Sequence, residues 1–170
     1  MNEKIQADRT TVCYIEYNNE FLMLYRNKKE NDINEGKWIG IGGKIESGES
    51  PDECNLREVR EEVGLVLKSF DFLGVVKFRS DMYGDDDMHL YYSDDFEPED
   101  PDAKRIFQEG GGYTPPECEE GLLKWIKKED LMTLPMWEGD RYFIRKILEG
   151  DKNISMTIKY EGDNCTVINE

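Results

Sequence analysis

Three glutamates, Glu58, Glu61 and Glu62, stand in the segment REVREEVG at spacings of three and four residues. In an α-helix these spacings place side chains on one face, where like charges destabilise the helix slightly. A divalent cation such as Mg²⁺ takes several oxygen ligands and reverses the sign of that interaction. The cluster therefore indicates either a solvated acidic face or a metal site.

The helix that carries these acids is marked at both ends. Ser50 suits the N-cap, Pro51 suits the first helical position, and Glu53 stands where a capping box needs a carboxylate. Gly64 follows as the usual left-handed terminator. These signals predict a helix over residues 51–63.

An apolar stripe on this helix sets the direction of the acids. Leu56, Val59 and Val63 lie on one side of the helical wheel, opposite the three glutamates. We expect the stripe to face the core and the acids to face solvent. Arg57 directly precedes Glu58, where its guanidinium can orient a carboxylate or bind phosphate.

The segment from Gly43 to Leu65 resembles the Nudix box of a family of diphosphate hydrolases. Gly43 is followed after five residues by Glu49 and after seven more by REVREEVGL, which matches each defined position. The resemblance implies an α/β fold, an α/β/α sandwich around a mixed sheet. It also implies one domain over residues 1–170, with the box at 43–65.

The same resemblance implies a cofactor and catalytic residues. The cofactor is Mg²⁺, with Mn²⁺ as the alternative. Its implied protein ligands are the carbonyl of Gly43 and the carboxylates of Glu58, Glu61 and Glu62. Arg57 and Glu61 join the catalytic group, and a carboxylate accepts the proton of the attacking water. Glu58 is the first choice for this base and Glu120 the second. Glu119 can take the place of Glu120 in this role. The alternative for Glu120 is that it is an ordinary acidic residue of a loop.

Outside the box, the chain resembles MutT-like and MutX-like enzymes that hydrolyse 8-oxo-dGTP, through RNKKENDINEGKWIGIGGK and WEGD. This implies substrate contacts by Trp137, Asp140, Lys44 and Ile39, with the tryptophan stacking on the purine and the aspartate hydrogen-bonding it. The alternative is that Trp137 packs on the last helix and Asp140 caps it. Relative to the mammalian oxidised-purine enzymes, Ile39 replaces an asparagine and Gly139 replaces an aspartate.

These residues favour a small-molecule nucleotide substrate. The leading hypothesis is hydrolysis of 8-oxo-dGTP to the monophosphate and pyrophosphate. The box does not specify the leaving group, so ADP-ribose, a dinucleotide polyphosphate or another nucleoside triphosphate is the enzymatic alternative. A nucleotide-binding module without activity is the other alternative, although such proteins usually lose the box acids.

The remaining elements follow from alternation and turn residues. A hairpin is expected at 10–15 and 21–25, and the C-terminal helix at 140–149. Further strands are expected at 38–41, 66–78, 88–92, 121–126, 154–160 and 165–168. Residues 94–117 are rich in proline, glycine and acids, which favours a mobile excursion over a substrate lid.

The composition of the chain limits the kinds of binding partner and the cellular location that we expect. The net charge of −16 disfavours a nucleic acid polymer as a partner. The sequence has no apolar run long enough to cross a membrane and no N-terminal apolar signal region, so we expect a cytoplasmic protein. Four scattered cysteines without a CxxC pair are expected to be idle thiols. Nothing in the composition indicates an oligomeric state.

Overall fold

The computed structural model describes residues 6–169. This part of the chain contains both strands and helices, as the sequence predicts. In chain order they are β1 (Asp8–Tyr17), β2 (Glu20–Arg26), β3 (Trp38–Ile39), β4 (Ile41–Lys44), α1 (Pro51–Val63), β5 (Leu65–Ser80), β6 (Asp86–Pro98), α2 (Pro101–Gln108), β7 (Gly121–Lys127), α3 (Lys128–Leu131), α4 (Asp140–Leu148), β8 (Ile154–Glu161) and β9 (Asn164–Asn169).

The strands form one mixed sheet, which confirms the predicted α/β class. Its main path runs β3-β2-β1-β6-β5-β8-β9, with β4 paired to β1 and β7 paired to β2. The pairs β1 with β6 and β5 with β8 are parallel, and the others are antiparallel.

Two apolar cores lie on the two faces of this sheet, because successive side chains of a strand point to opposite faces. Val59 and Val63 of α1 pack in one core, and Phe143 and Ile144 of α4 pack in the other. The helices α1 and α4 therefore cover opposite faces, which is the expected α/β/α sandwich. No helix within residues 6–169 has the length and apolar character needed to span a membrane.

The predicted helix over 51–63 is confirmed with both of its ends. The Ser50 hydroxyl accepts a hydrogen bond from the Glu53 amide at 3.1 Å, and the Glu53 carboxylate accepts one from the Ser50 amide at 3.3 Å. Gly64 ends the helix in the left-handed region with φ of 69°. The local signals were sufficient here because capping depends only on neighbouring residues.

The predicted apolar stripe is wrong at Leu56, which is 39% exposed. Cys54 and Asn55 are buried in its place, together with Val59 and Val63. The reason is that the N-terminal turn of α1 packs onto β1, where the Cys54 sulfur lies 3.4 Å from the hydroxyl of Thr11. This packing turns the helix and moves its acidic face partly toward the protein.

The expectation that residues 94–117 lack a packed element is also wrong. Residues 94–98 continue β6, and α2 follows with Asp100 as N-cap, whose carboxylate accepts from the Ala103 amide at 2.9 Å. Phe107 packs on the rings of Tyr17 and Phe96 at centroid distances of 5.1 and 5.5 Å. Aromatic packing therefore holds a segment whose composition resembles that of a loop.

Most of the other predicted elements are present with longer bounds, whereas the strand predicted over 38–41 is divided at Gly40 into β3 and β4, and α4 ends at Leu148 instead of Glu149. The turn at Asn18 and Asn19 joins β1 to β2, and both residues have positive φ, as a two-residue hairpin turn requires. The segment 66–78 is part of one long strand, β5, which continues through Gly74. The C-terminal hairpin is confirmed as β8 and β9.

Candidate active site

An acidic cleft lies beside the C-terminal half of α1. It brings together the predicted acids Glu58, Glu61, Glu62 and Glu120, which come from two separate parts of the chain. Glu119, the suggested substitute for Glu120, also lines it. The full lining is Glu58, Glu61, Glu62, Glu117, Cys118, Glu119 and Glu120.

Arg57 organises one side of this cleft. Its guanidinium donates to both carboxylate oxygens of Glu49, at 2.6 and 3.0 Å. It also donates to Glu58 at 2.9 Å and to Glu61 at 3.1 Å. These hydrogen bonds with Arg57 lower the pKa of Glu49 to about 2. Arg57 is thus placed as a residue that orients carboxylates.

Glu62 differs from its neighbours because it lies at the edge of the buried face of α1. Its Oε2 atom is buried and has no hydrogen-bond partner among residues 6–169. Burial, and then the negative charges of Glu120 and Glu58, raise the pKa of Glu62 far above its ordinary range. A buried, unpaired carboxyl oxygen is costly to retain. The expectation that Glu62 faces solvent is wrong for this reason.

Gly43 forms the wall behind Glu58. A β-carbon at position 43 would lie 2.6 Å from Oε1 of Glu58, so the carboxylate occupies the space that any other residue would fill. The Cys54 sulfur makes a long contact with the carbonyl oxygen of Gly43, at 3.9 Å. Gly43 and the Glu58 carboxylate therefore lie side by side.

The donor set of this cleft fits a hard divalent cation. It offers carboxylate oxygens, a backbone carbonyl and one orphaned buried oxygen, which are the ligands that Mg²⁺ prefers. In the described residues, no three acidic, histidine or cysteine side chains already surround one point as a metal site. Arg57 instead holds Glu58 and Glu61. A cation would relieve the repulsion from Glu120 and Glu58, which adds to burial in raising the pKa of Glu62.

Glu120 reaches the cleft as part of an ion-pair network. Its carboxylate accepts from Arg26 at 3.1 Å and from Lys29 at 3.1 Å. Arg26 also donates to Asp32 at 2.7 Å. The end of β2 and the loop that follows it therefore hold Glu120, the second candidate for the catalytic base, beside the acids of the box.

A second cavity, of about 270 Å³, lies on the α4 face of the sheet. Three of the predicted substrate contacts, Ile39, Trp137 and Asp140, line it, and so does Gly43. Lys44, the fourth, lies outside both sites. The Lys44 side chain is 75% exposed and pairs with Asp8 at 3.6 Å.

Trp137 is fixed on several sides within this cavity. Its indole nitrogen donates to Asn34 at 2.7 Å, and the ammonium of Lys37 lies 4.3 Å from the ring centroid. The rings of Tyr83 and Tyr160 meet it edge-on at 5.3 and 5.5 Å. A held aromatic ring of this kind suits stacking on a planar base.

Asp140 is the first residue of α4 and is 8% exposed. Burial raises the pKa of its carboxyl to about 7, against the smaller opposite effects of Arg141 and Lys37. Gly139 occupies the N-cap, and no side chain caps this helix. The capping alternative for Asp140 is therefore wrong, and the carboxyl lines the cavity.

Sequence reasoning missed several residues that line the cavity. They are Thr10, Arg26, Asn34, Tyr83, Asp86 and Tyr160. For Asp86 a signal existed. It precedes Met88 and Leu90 by two and four residues, so strand alternation points all three to one face.

Comparisons with known proteins agree with this geometry. The model of the NUDIX domain matches residues 7–147. The uncharacterized Nudix hydrolase YvcI of Bacillus subtilis is 28% identical over 159 residues, which is 89% of this chain and 86% of YvcI. The oxidized purine nucleoside triphosphate hydrolase of Danio rerio is 25% identical over 142 residues, covering 82% of this chain and 80% of its own. The crystal structure of a MutT protein from Bacillus halodurans superimposes with a TM-score of 0.75 at 24% identity, covering 94% of this chain and 97% of its own.

Proposed function

The chain belongs to the Nudix hydrolase family, and we propose that its substrate is a purine nucleoside triphosphate, 8-oxo-dGTP in preference to dGTP. The products are the nucleoside monophosphate and pyrophosphate. The proposed metal is Mg²⁺, with Mn²⁺ as the alternative.

One observation carries this proposal: Gly43 belongs to both sites. Its backbone touches the carboxylate of Glu58 in the cleft, and it also lines the cavity that holds Trp137 and Asp140. A nucleotide with its base at Trp137 can therefore extend its phosphates past Gly43 to the box acids. This arrangement suits one substrate with a planar base and a polyphosphate.

The residues of the cleft have separate proposed roles. Glu58, Glu61, Glu62 and the Gly43 carbonyl would hold Mg²⁺. When bound, the cation neutralises the polyphosphate and lowers the pKa of a bound water. Arg57 keeps the carboxylates in place through its hydrogen bonds to Glu49, Glu58 and Glu61.

The reaction needs a water, a base and a leaving group. The water oxygen bonds to phosphorus, the bond from that phosphorus to the bridging oxygen breaks, and the pyrophosphate or monophosphate group leaves. A carboxylate accepts the proton of the water, with Glu58 as the first candidate and Glu120 as the second. Both lie in the same cleft.

The residues of the cavity are proposed to select the purine base of the substrate. Trp137 offers a stacking surface, and the Asp140 carboxyl, whose pKa burial raises to about 7, either donates or accepts a hydrogen bond near neutral pH. Oxidation of guanine at C8 turns N7 from an acceptor into an N–H donor. The name of the Danio rerio relative, an oxidized purine nucleoside triphosphate hydrolase, supports the same substrate class.

Product analysis tests this proposal. The purified chain is incubated with Mg²⁺ and separately with 8-oxo-dGTP, dGTP, ADP-ribose and a dinucleotide polyphosphate. We expect pyrophosphate release, with the largest kcat/KM for 8-oxo-dGTP and no turnover after chelation of the metal. A higher kcat/KM for ADP-ribose or the dinucleotide contradicts the substrate, and orthophosphate as the product contradicts the reaction.

A further inference from the structure

The cavity contains a second carboxyl group besides that of Asp140. Asp86, the first residue of β6, enters it from the sheet, whereas Asp140 enters from α4. Asp86 is half-buried, and burial raises the pKa of its carboxyl to about 6. A carboxyl group in such a place is costly unless a partner satisfies it.

Thr10 fixes the position of Asp86. Its hydroxyl oxygen lies 2.9 Å from both carboxylate oxygens. A hydroxyl has a single proton to donate, whereas an ionised carboxylate accepts about four hydrogen bonds. Thr10 therefore orients the Asp86 carboxylate and leaves acceptor capacity for another donor.

Other polar groups of the cavity already have partners in the protein. The Asn34 carbonyl oxygen accepts from Trp137, and the Tyr160 hydroxyl accepts from the Gly139 amide at 2.7 Å. The Arg26 guanidinium faces Asp32 and Glu120. The carboxyl groups of Asp86 and Asp140 thus remain as acceptors in the cavity, and a ligand that pairs with them carries N–H or O–H groups.

The contact with Thr10 places Asp86 near the start of the box. Thr10 pairs with Lys44, one residue beyond the pair of Thr11 with Gly43, where the box begins. Trp137 and Asp140 line the same cavity. If the phosphates of a nucleotide extend past Gly43, its nucleoside part lies in this cavity, within reach of Asp86.

We propose that Asp86, oriented by Thr10, is a specificity-determining acceptor for a hydrogen-bond donor of the bound nucleoside, either the 2-amino group of the base or a sugar hydroxyl. This inference rests on the proposed function, because it takes the cavity as the nucleoside site. It adds a second acceptor on the sheet side, which limits binding to nucleosides with a donor at that point.

Binding of the reaction product tests this without requiring turnover. Dissociation constants are measured by calorimetry with Mg²⁺ for dGMP, dIMP, which lacks the 2-amino group, and dideoxy-GMP, which lacks the sugar hydroxyl. We expect Asp86→Asn to weaken dGMP binding by about tenfold or more, as loss of a hydrogen bond to a charged group does. The loss should disappear for dIMP if the base is read, or for dideoxy-GMP if the sugar is read.

Matched variants separate this role from a structural one. Asp85→Asn makes the same charge change at an exposed neighbour outside the cavity and should leave all three constants unchanged. Thr10→Val should reproduce part of the loss and Thr10→Ser should restore binding, because serine keeps the hydroxyl. Melting curves confirm folding, and Asp86→Ala replaces Asp86→Asn if the amide destabilises the chain.

Two results overturn the inference. Equal weakening of all three nucleotides by Asp86→Asn means that the carboxyl reads no donor, and unchanged binding means that it touches no ligand. Failure of the proposed function looks different, because the unaltered chain would then bind none of the three nucleotides.

Discussion

Acidic groups lie on both faces of the sheet, and their neighbours differ. In the cleft beside α1, burial and the negative charges of Glu120 and Glu58 raise the pKa of Glu62. In the cavity beside α4, burial alone raises the pKa of Asp140, and its charged neighbours Arg141 and Lys37 oppose the shift. A cation stabilises carboxylates that repel one another, whereas a proton or a hydrogen-bond donor stabilises a single buried carboxylate. The neighbours of each acid thus indicate its ligand.

The largest effect is expected at Glu62. Glu62→Gln removes one hard ligand from the proposed metal site, and the several kcal/mol that such a metal supplies correspond to a loss of about a hundredfold or more in kcat. Steady-state assays with saturating Mg²⁺ measure this. Glu129→Gln, an exposed acid of α3, is the control and should retain full activity. Activity of Glu62→Gln within about threefold of the parent would contradict the metal assignment.

The same variant should gain thermal stability in metal-free buffer, because the negative charge that Glu62 places beside Glu58 and Glu120 is removed. Saturating Mg²⁺ should cancel or reverse this gain. A lower melting temperature in the absence of metal would mean that Glu62 stabilises the fold by itself.

The next largest effect is expected at Trp137, in the cavity beside α4. Trp137→Ala should weaken 8-oxo-dGTP and dGTP together, by roughly 1–3 kcal/mol, since stacking does not depend on the identity of the purine. The effect should appear in KM and leave kcat nearly unchanged. Trp137→Phe keeps an aromatic face and should retain most of the affinity. A large change in kcat would place Trp137 in the chemical step instead.

Asp140 makes the stability of the fold depend on pH. Its pKa rises from 3.8 to about 7 on burial, so the folded chain binds more protons than the unfolded chain between these values. The contribution of Asp140 to stability is therefore greatest below its unfolded pKa and is lost as the pH rises through the folded pKa, by roughly 2 kcal/mol between pH 5 and pH 7. Denaturation with urea, compared between the parent and Asp140→Asn, measures this difference. Equal pH slopes would show that the carboxyl is not buried as described.

The smallest of these effects is expected at Gly43, where the two sites meet. The added methyl of Gly43→Ala would displace the Glu58 carboxylate, which lies 2.6 Å from the β-carbon position. A misplaced catalytic group costs activity without unfolding the protein, and we expect a loss of about tenfold in kcat. Retained kcat with a normal melting curve would show that Glu58 moves aside freely.

How far the sequence predicted this molecule depends on the range of the interactions. The ends of α1 were predictable because Ser50, Glu53 and Gly64 act on their own neighbours. Burial of Glu62 was not, since it depends on how α1 packs on β1 and β4 and on Glu120, which is distant in sequence. The position of Asp86 depends in the same way on the parallel pairing of β1 with β6.

The segment 94–117 contains a local helix signal, but its loop-like composition outweighed that signal in the prediction. Asp100 and Pro101 repeat the cap and first-turn pattern of Ser50 and Pro51. The surrounding glycines, prolines and acids suggested a loop, and only the fold brings Phe107 against the rings that hold it. Composition averages over such a segment and conceals a short capped helix.

The ratio of kcat/KM for 8-oxo-dGTP to that for dGTP, measured in two variants, tests the division between cleft and cavity most directly. Asp140→Ala should shrink the ratio by an amount of order 1–3 kcal/mol, because the carboxyl that we propose as the contact to the purine is lost. Glu62→Gln should leave the ratio unchanged while its turnover falls, because both nucleotides carry the same triphosphate. An unchanged ratio in Asp140→Ala, or an equal shift in both variants, would contradict the assignment of chemistry to the α1 face and recognition to the α4 face.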